Sequence, residues 1–253
     1  MNKMKEKGQV IHSMAYENVL KRLQEERLAH KLSQGDLSRQ LKMTQGHYSK
    51  AEHAIKRFTY SEVKCLADSE LDLYYIYTGR RVVRRHEEIL KKCGCRELMC
   101  YLHVLLALEC CRYGEQRREA EAKGYRQLCR LKYITGIDDE QESIFMLVRN
   151  YEKKTQYEMA DSLGMDIKKY RSVEKGTCLP DSELLFKVYC LFEITPAYFM
   201  RDRNGLSCEI EYYLNRVDPK VNGTIYRYFH LLRELYVAKK VKTEGGEDVR
   251  QDR

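Results

Sequence analysis

Five of the ten cysteines in this 253-residue chain, Cys93, Cys95, Cys100, Cys110 and Cys111, fall in one short segment. Grouped thiols are raw material for a zinc or redox site. No pair here has the C-x-x-C spacing of a zinc ribbon, and His86 and His103 do not complete a recognised ligand set. Cysteine is also a common small core residue, so a structural role is expected, with no metal and no other cofactor. Enzymatic motifs are missing too: the chain has no phosphate-binding P-loop, no G-x-S-x-G, no H-E-x-x-H and no dinucleotide fingerprint. A non-enzyme is the expectation.

The remaining chemistry is electrostatic. Lys and Arg number 46 against 38 Asp and Glu, a net charge of +8. The excess is uneven: +6 over residues 1–60, +7 over 79–135 and −3 over 136–203. A positive field confined to one part of a chain is the footprint expected for a polyanion partner.

The elements that must carry these charges are helical. Apolar residues at 43%, charged residues at 33% and only three prolines and fourteen glycines exclude a turn-rich all-β protein, a collagen-like chain and a low-complexity chain. No run approaches eighteen apolar residues, so no membrane span is expected. The basic start MNKMKEKGQVIHSMAYENVLKRL lacks the apolar core of a signal peptide, and a cytoplasmic location follows as the expectation.

The sequence repeats itself. Shifted by 122 residues, Arg27 meets Arg149, Gln34 meets Gln156, Leu41 meets Leu163, Met43 meets Met165, Tyr48 meets Tyr170 and Glu52 meets Glu174. At a shift of 127, YLHVLLAL from Tyr101 lies over YFHLLREL from Tyr228. Two units follow, over 12–113 and 137–240, joined by a polar, helical connector over 114–136. The tail 241–253, rich in charge with a GGED run, is expected to be disordered. The stripe Leu98, Tyr101, Leu102, Leu105, Leu108 and its match Ile225, Tyr228, Phe229, Leu232, Leu235 read as core packing or as a dimer seam. Tyr212, Tyr213, Tyr226 and Tyr236 add aromatic surface to the second block.

Within each unit, Ser33-x-x-Asp36 and Thr155-x-x-Glu158 have the form of capping boxes, which satisfy free amides at a helix start. About eight helical residues follow. Leu41-Lys42-Met43 and Leu163-Gly164-Met165 then make a short turn with an apolar side chain pointing inward, and Thr44 and Asp166 cap a third helix. Two short helices about a tight turn describe a helix-turn-helix.

These stretches resemble the Cro/repressor-type (lambda-repressor-like) helix-turn-helix family. Arg27, Ser33, Gln34, Leu37, Leu41, Thr44, Ser49 and Glu52 fall on its pattern in the first unit. Arg149, Thr155, Gln156, Ala160, Leu163, Gly164, Glu174, Gly176 and Pro180 do so in the second. The resemblance covers some 55–60 residues of each unit. It implies an all-α chain of two tandem domains, 12–78 and 137–203, each followed by trailing helices at 79–113 and 204–240. It also implies internal Arg27–Glu52 and Arg149–Glu174 ion pairs that serve as scaffold.

By the same resemblance, the start of the third helix enters the major groove of double-stranded DNA. Thr44, Gln45, Gly46, His47 and Lys50 are the implied readers of the first unit, with Gln45 suited to adenine and Lys50 to guanine. Gln34 and Gln156 are placed to meet phosphates, and Lys56 and Arg57 to clamp them. In the second unit Asp166, Ile167, Lys168, Lys169 and Ser172 hold the reader positions, with Arg171 beside them.

Two departures stand out: Ala54 where the family favours Gly, and Phe58 where it favours Pro. A late or irregular end to the third helix of the first unit is expected from Ala54. The leading expectation is a sequence-specific transcriptional regulator near the nucleoid, acting alone or as a homodimer. The competing one is an antitoxin-like or signal-sensing adaptor that keeps the fold, has lost the readout and binds a protein or effector.

Overall fold

The computed structural model describes residues 2–115, 122–136, 142–216, 224 and 227–235, with side chains for all of these except 2–15, 112–115 and 122–123. The described residues are predominantly helical, and no strand occurs among them. Helices α1 (Asn2–Ala29), α2 (Gln34–Gln40), α3 (Gln45–Glu52), α4 (Tyr60–Ala67) and α5 (Leu73–Thr78) form the first group. Then come α6 (Glu87–Leu90), α7 (Cys95–Glu115) and α8 (Ala122–Gly136). The last group is α9 (Ile144–Tyr151), α10 (Gln156–Leu163), α11 (Ile167–Glu174), α12 (Ser182–Phe192), α13 (Pro196–Met200) and α14 (Arg203–Leu214). The chain is helical again over 227–235. No helix among the described residues is long and apolar enough to cross a membrane.

The short helices start where their caps lie. Ser33 and Asp36 exchange reciprocal bonds at the head of α2, and Thr155 with Glu158 does the same for α10. Thr44 accepts from the His47 amide at the head of α3, and Asp166 from the Lys168 and Lys169 amides at α11. Each such cap stabilises a helix start by about 1 kcal/mol. The turns also correspond: Lys31 and Lys153 are left-handed, as are Lys42 and Gly164, and Ala54 and Gly176. The expected late end of the third helix does not occur. α3 stops at Glu52 and α11 at Glu174, and Ala54 takes φ +62° where Gly176 has +73°. An alanine there bears a conformational cost that glycine avoids, and the turn forms regardless.

Two buried clusters hold the helices. One gathers Tyr16, Val19, Leu20 and Leu23 of α1 with Leu37, Tyr48, Phe58, Val63, Ile76 and Tyr77, and takes in Leu185, Phe186 and Met200 from α12 and α13. The other joins α6, α7 and α8 to α9–α14 and to Phe229. The long helix α7 therefore packs with the later helices, and the partition of the core does not follow the repeat in the sequence. Its stripe is not buried throughout: Leu98, Tyr101, Leu102 and Leu105 are inside, whereas Leu108 is 60% exposed. The connector is helical in α8, and it is no mere spacer, because Leu128, Leu131 and Ile134 are core residues. Residues 116–121, Ile225, Tyr226, Tyr236 and the tail 241–253 lie outside the described residues.

Candidate nucleic-acid interface

α3 is held to the body by its inner face. Tyr48 and Ala51 are fully buried, and the Tyr48 ring lies 6.0 Å from that of Phe58. Arg27 Nε donates to Glu52 Oε1 at 2.9 Å, and the Tyr48 hydroxyl donates to the same oxygen at 2.9 Å. Burial alone would raise the Glu52 carboxyl, but hydrogen bonds from Arg27, Gln34 and Tyr48 outweigh it and hold the group below the ordinary range. In the second unit, Arg149 Nε donates to Glu174 Oε1 at 2.5 Å. The scaffold pairs implied by the resemblance are both formed.

The outer face of α3 is open. Thr44, Gln45, Gly46 and Lys50 are exposed, and His47 is half-buried with its ring 3.8 Å from Glu62. The Gln45 carboxamide oxygen reaches back over α2, 3.9 Å from the point where a Cβ on Gly35 would sit. Lys56 is exposed just beyond the helix. Arg57 is otherwise engaged: it pairs with Glu183 at the start of α12, and its guanidinium lies 5.4 Å from the Tyr16 ring centroid. The pairing pulls the Glu183 carboxyl below its usual value against the opposing effect of burial.

Both glutamines expected at phosphates have internal partners. Gln34 Nε2 donates to Glu52 at 2.6 Å and Gln156 Nε2 to Glu174 at 2.5 Å. Gln156 Oε1 also accepts from Arg171 at 3.1 Å. Each glutamine thereby extends the Arg–Glu pair into a bridge between the second and third helices. On α11, Lys168, Lys169 and Arg171 are exposed, Ile167 and Ser172 half-buried. Lys169 lies 3.9 Å from Asp181. Asp166 accepts from Lys168 N at 2.7 Å and Lys169 N at 3.3 Å, so its charge is taken up in the cap.

The structure therefore brings Thr44, Gln45, Gly46, His47 and Lys50 together on one helix start, with Lys56 beyond it, and Lys168, Lys169 and Arg171 on another. It sets Gln34, Gln156 and Arg57 in protein contacts. Sequence reasoning overlooked Tyr157, 70% exposed beside Gln156, and Ile55, 71% exposed beside Lys56. Both are large, mainly hydrophobic side chains left open to solvent. A hollow of about 460 Å³ opens beside α9 and the loop after α11, walled by Phe145, Val173, Leu179, Pro180 and Phe199, with Tyr60 at its edge.

The cysteine segment is dispersed. Cys93 and Cys110 are buried, Cys100 and Cys111 exposed, and Cys110 Sγ lies 3.8 Å from Cys129 Sγ. Burial raises the Cys110 thiol to about 12, which keeps it protonated. No group of three or more His, Cys, Asp or Glu side chains among the described residues could hold a metal ion. Set against known proteins, the chain matches no family model, no curated protein and no solved structure.

Proposed function

We propose that the chain is a sequence-specific DNA-binding regulator built from two tandem Cro/repressor-like helix-turn-helix units, with α3 entering the major groove. The observation that carries this reading is the combination at α3. A short capped helix is fixed by buried contacts on one side and offers Gln45, Gly46, Lys50 and nearby Lys56 to solvent on the other. Gln and Lys are side chains that pair with purine edges, and a lysine beyond the helix neutralises phosphate. Regulation of transcription in the cytoplasm is the biological setting that fits such a protein.

Binding to duplexes selected from a random pool, followed by anisotropy, tests the reading. Replacing Gln45 and Lys50 together with Ala lowers specific affinity by tenfold or more, at about 1–3 kcal/mol per lost base contact. Unchanged affinity in that variant contradicts it.

One set of observations favours a second reading, a protein-interaction adaptor. The Gln34 and Gln156 amides and Arg57 already have protein partners, and exposed Ile55, Tyr157 and Leu179 lie near the same surfaces. Under that reading no duplex binds above the non-specific level.

A further inference from the structure

The residue at the head of α12, Ser182, is 2% exposed and has all its polar groups turned to the first helical group. Its amide donates to the Phe58 carbonyl at 2.9 Å, and its hydroxyl accepts from the Phe58 amide at 3.1 Å. The same hydroxyl shares a 2.5 Å hydrogen bond with the Tyr16 hydroxyl, and its carbonyl accepts from the Tyr77 hydroxyl at 3.4 Å. Around it, Leu185, Phe186 and Met200 are buried in the core of the first group, Tyr16 and Phe186 have ring centroids 6.0 Å apart, and the Tyr60 hydroxyl donates to the Phe199 carbonyl at 2.8 Å. A connection this densely bonded and dry does not act as a flexible tether.

Position 58 explains one departure noted in the sequence. A proline there would remove the amide that Ser182 accepts from. The non-proline residue is what lets the Phe58 amide donate to the Ser182 hydroxyl, beside the backbone bond from the Ser182 amide to the Phe58 carbonyl. The flanking residues tie the joint to the candidate DNA contacts: Glu183 holds Arg57, which follows α3, and Asp181 faces Lys169 on α11. The cations of both units thus flank a single turn.

We propose that Ser182 is a positioning residue that fixes the register between the two units, so that the chain recognises one composite duplex site of set spacing and not two independent half-sites. The proposal rests on the DNA-binding reading. Two rigidly joined readers gain from each other only when the duplex presents both halves at the matching distance and angle, and linkage at the right geometry adds about 10²-fold or more over one reader alone. Five inserted base pairs turn the second half-site to the opposite face of the duplex, since a turn takes about 10 base pairs.

The test uses the full chain, a duplex selected from a random pool, and versions of it with five base pairs inserted between the protected halves. The wild type is expected to lose at least tenfold in affinity on insertion. Ser182→Pro should bind the selected duplex more weakly and lose less than threefold on insertion. Proline suits the first position of a helix, and the extended backbone of Asp181 (φ −81°, ψ 172°) accepts a following proline. α12 is therefore retained while the bonds to Phe58 go. Ser182→Ala, which keeps the backbone pair, should fall between the two.

Hydrogen exchange without DNA gives an independent reading: the Phe58 and Ser182 amides are expected to be protected together, and Phe58 to lose protection in Ser182→Ala. Duplex binding by the wild type that is indifferent to the insertion overturns the proposal. So do unprotected amides, which would dissolve the joint itself. Protected amides with no duplex binding at any spacing overturn it through the DNA reading, leaving the joint intact.

Discussion

The two copies reach the same backbone by different chemistry. In the second, Gly164 and Gly176 occupy the left-handed turns and Pro180 follows; in the first, Lys42, Ala54 and Phe58 stand at the same places. The left-handed conformation costs a residue with a Cβ about 1–2 kcal/mol, so at these two turns the first copy carries strain that glycine spares the second. What it has in return is visible at two points. Lys42 adds an exposed cation next to α3, and Phe58 adds a buried ring together with the amide that bonds Ser182. The copy with the weaker local stop signals is the one whose departures serve charge and docking.

The largest test of this contrast removes the scaffold arginines. Arg27 is 7% exposed and Arg149 20%, while their glutamates are both nearly sealed. Stripping one partner from such a pair costs about 3–5 kcal/mol, because a charge is left buried. Arg27→Ala should therefore fall at the upper end of that range in urea denaturation and Arg149→Ala below it. Equal losses would erase the difference in burial as a cause.

Acidity should separate the halves by sign. Glu52 in the first half is held below its ordinary value. Its stabilising contribution is present above the unfolded carboxyl range and is lost as pH falls through the folded value. Glu209 in the second half is raised from 4.5 to about 7 by burial, against the lowering effects of a Thr195 hydrogen bond and Arg80. Between those two values the unfolded chain has already released the proton that the folded chain keeps, so stability falls as pH rises and then levels off. Denaturation midpoints across that window should flatten in Glu209→Gln. A slope that persists assigns the effect to another group.

The turn residues give the smallest change. Ala54→Gly should stabilise the protein by about 0.5–1 kcal/mol, and Gly176→Ala should destabilise it by a similar amount. An added Cβ at Gly176 meets nothing within 4 Å, so the second change reads backbone conformation alone. Thermal melts that move in the same direction for both would show that the turns are not equivalent.

Local features were legible in the sequence. Capping boxes and the apolar turn residue are set by short spacings and side-chain chemistry, the Arg–Glu pairs were implied by the resemblance, and the structure contains all of them. The partners of Arg57 and Ser182 were not legible, because they lie more than a hundred positions away in sequence. The only trace was Phe58 in the place of a proline, a signal whose meaning needs the other half of the chain. Periodicity gave the apolar stripe of α7 but not which of its residues are covered; Leu108 continues the pattern and is exposed. The internal partners of the glutamines were missed for a related reason: spacing put them at helix starts, yet a carboxylate of the neighbouring helix lies within their reach.

The salt dependence of duplex binding reads the central claim most directly. If Lys56 and its neighbouring cations neutralise phosphates, the logarithm of affinity falls linearly with the logarithm of salt, at a slope of about −0.9 per phosphate. Lys56→Ala should make that slope shallower by about one unit while sparing base preference. An affinity that ignores ionic strength, or a Lys56→Ala slope that matches the wild type, contradicts DNA as the partner of this face.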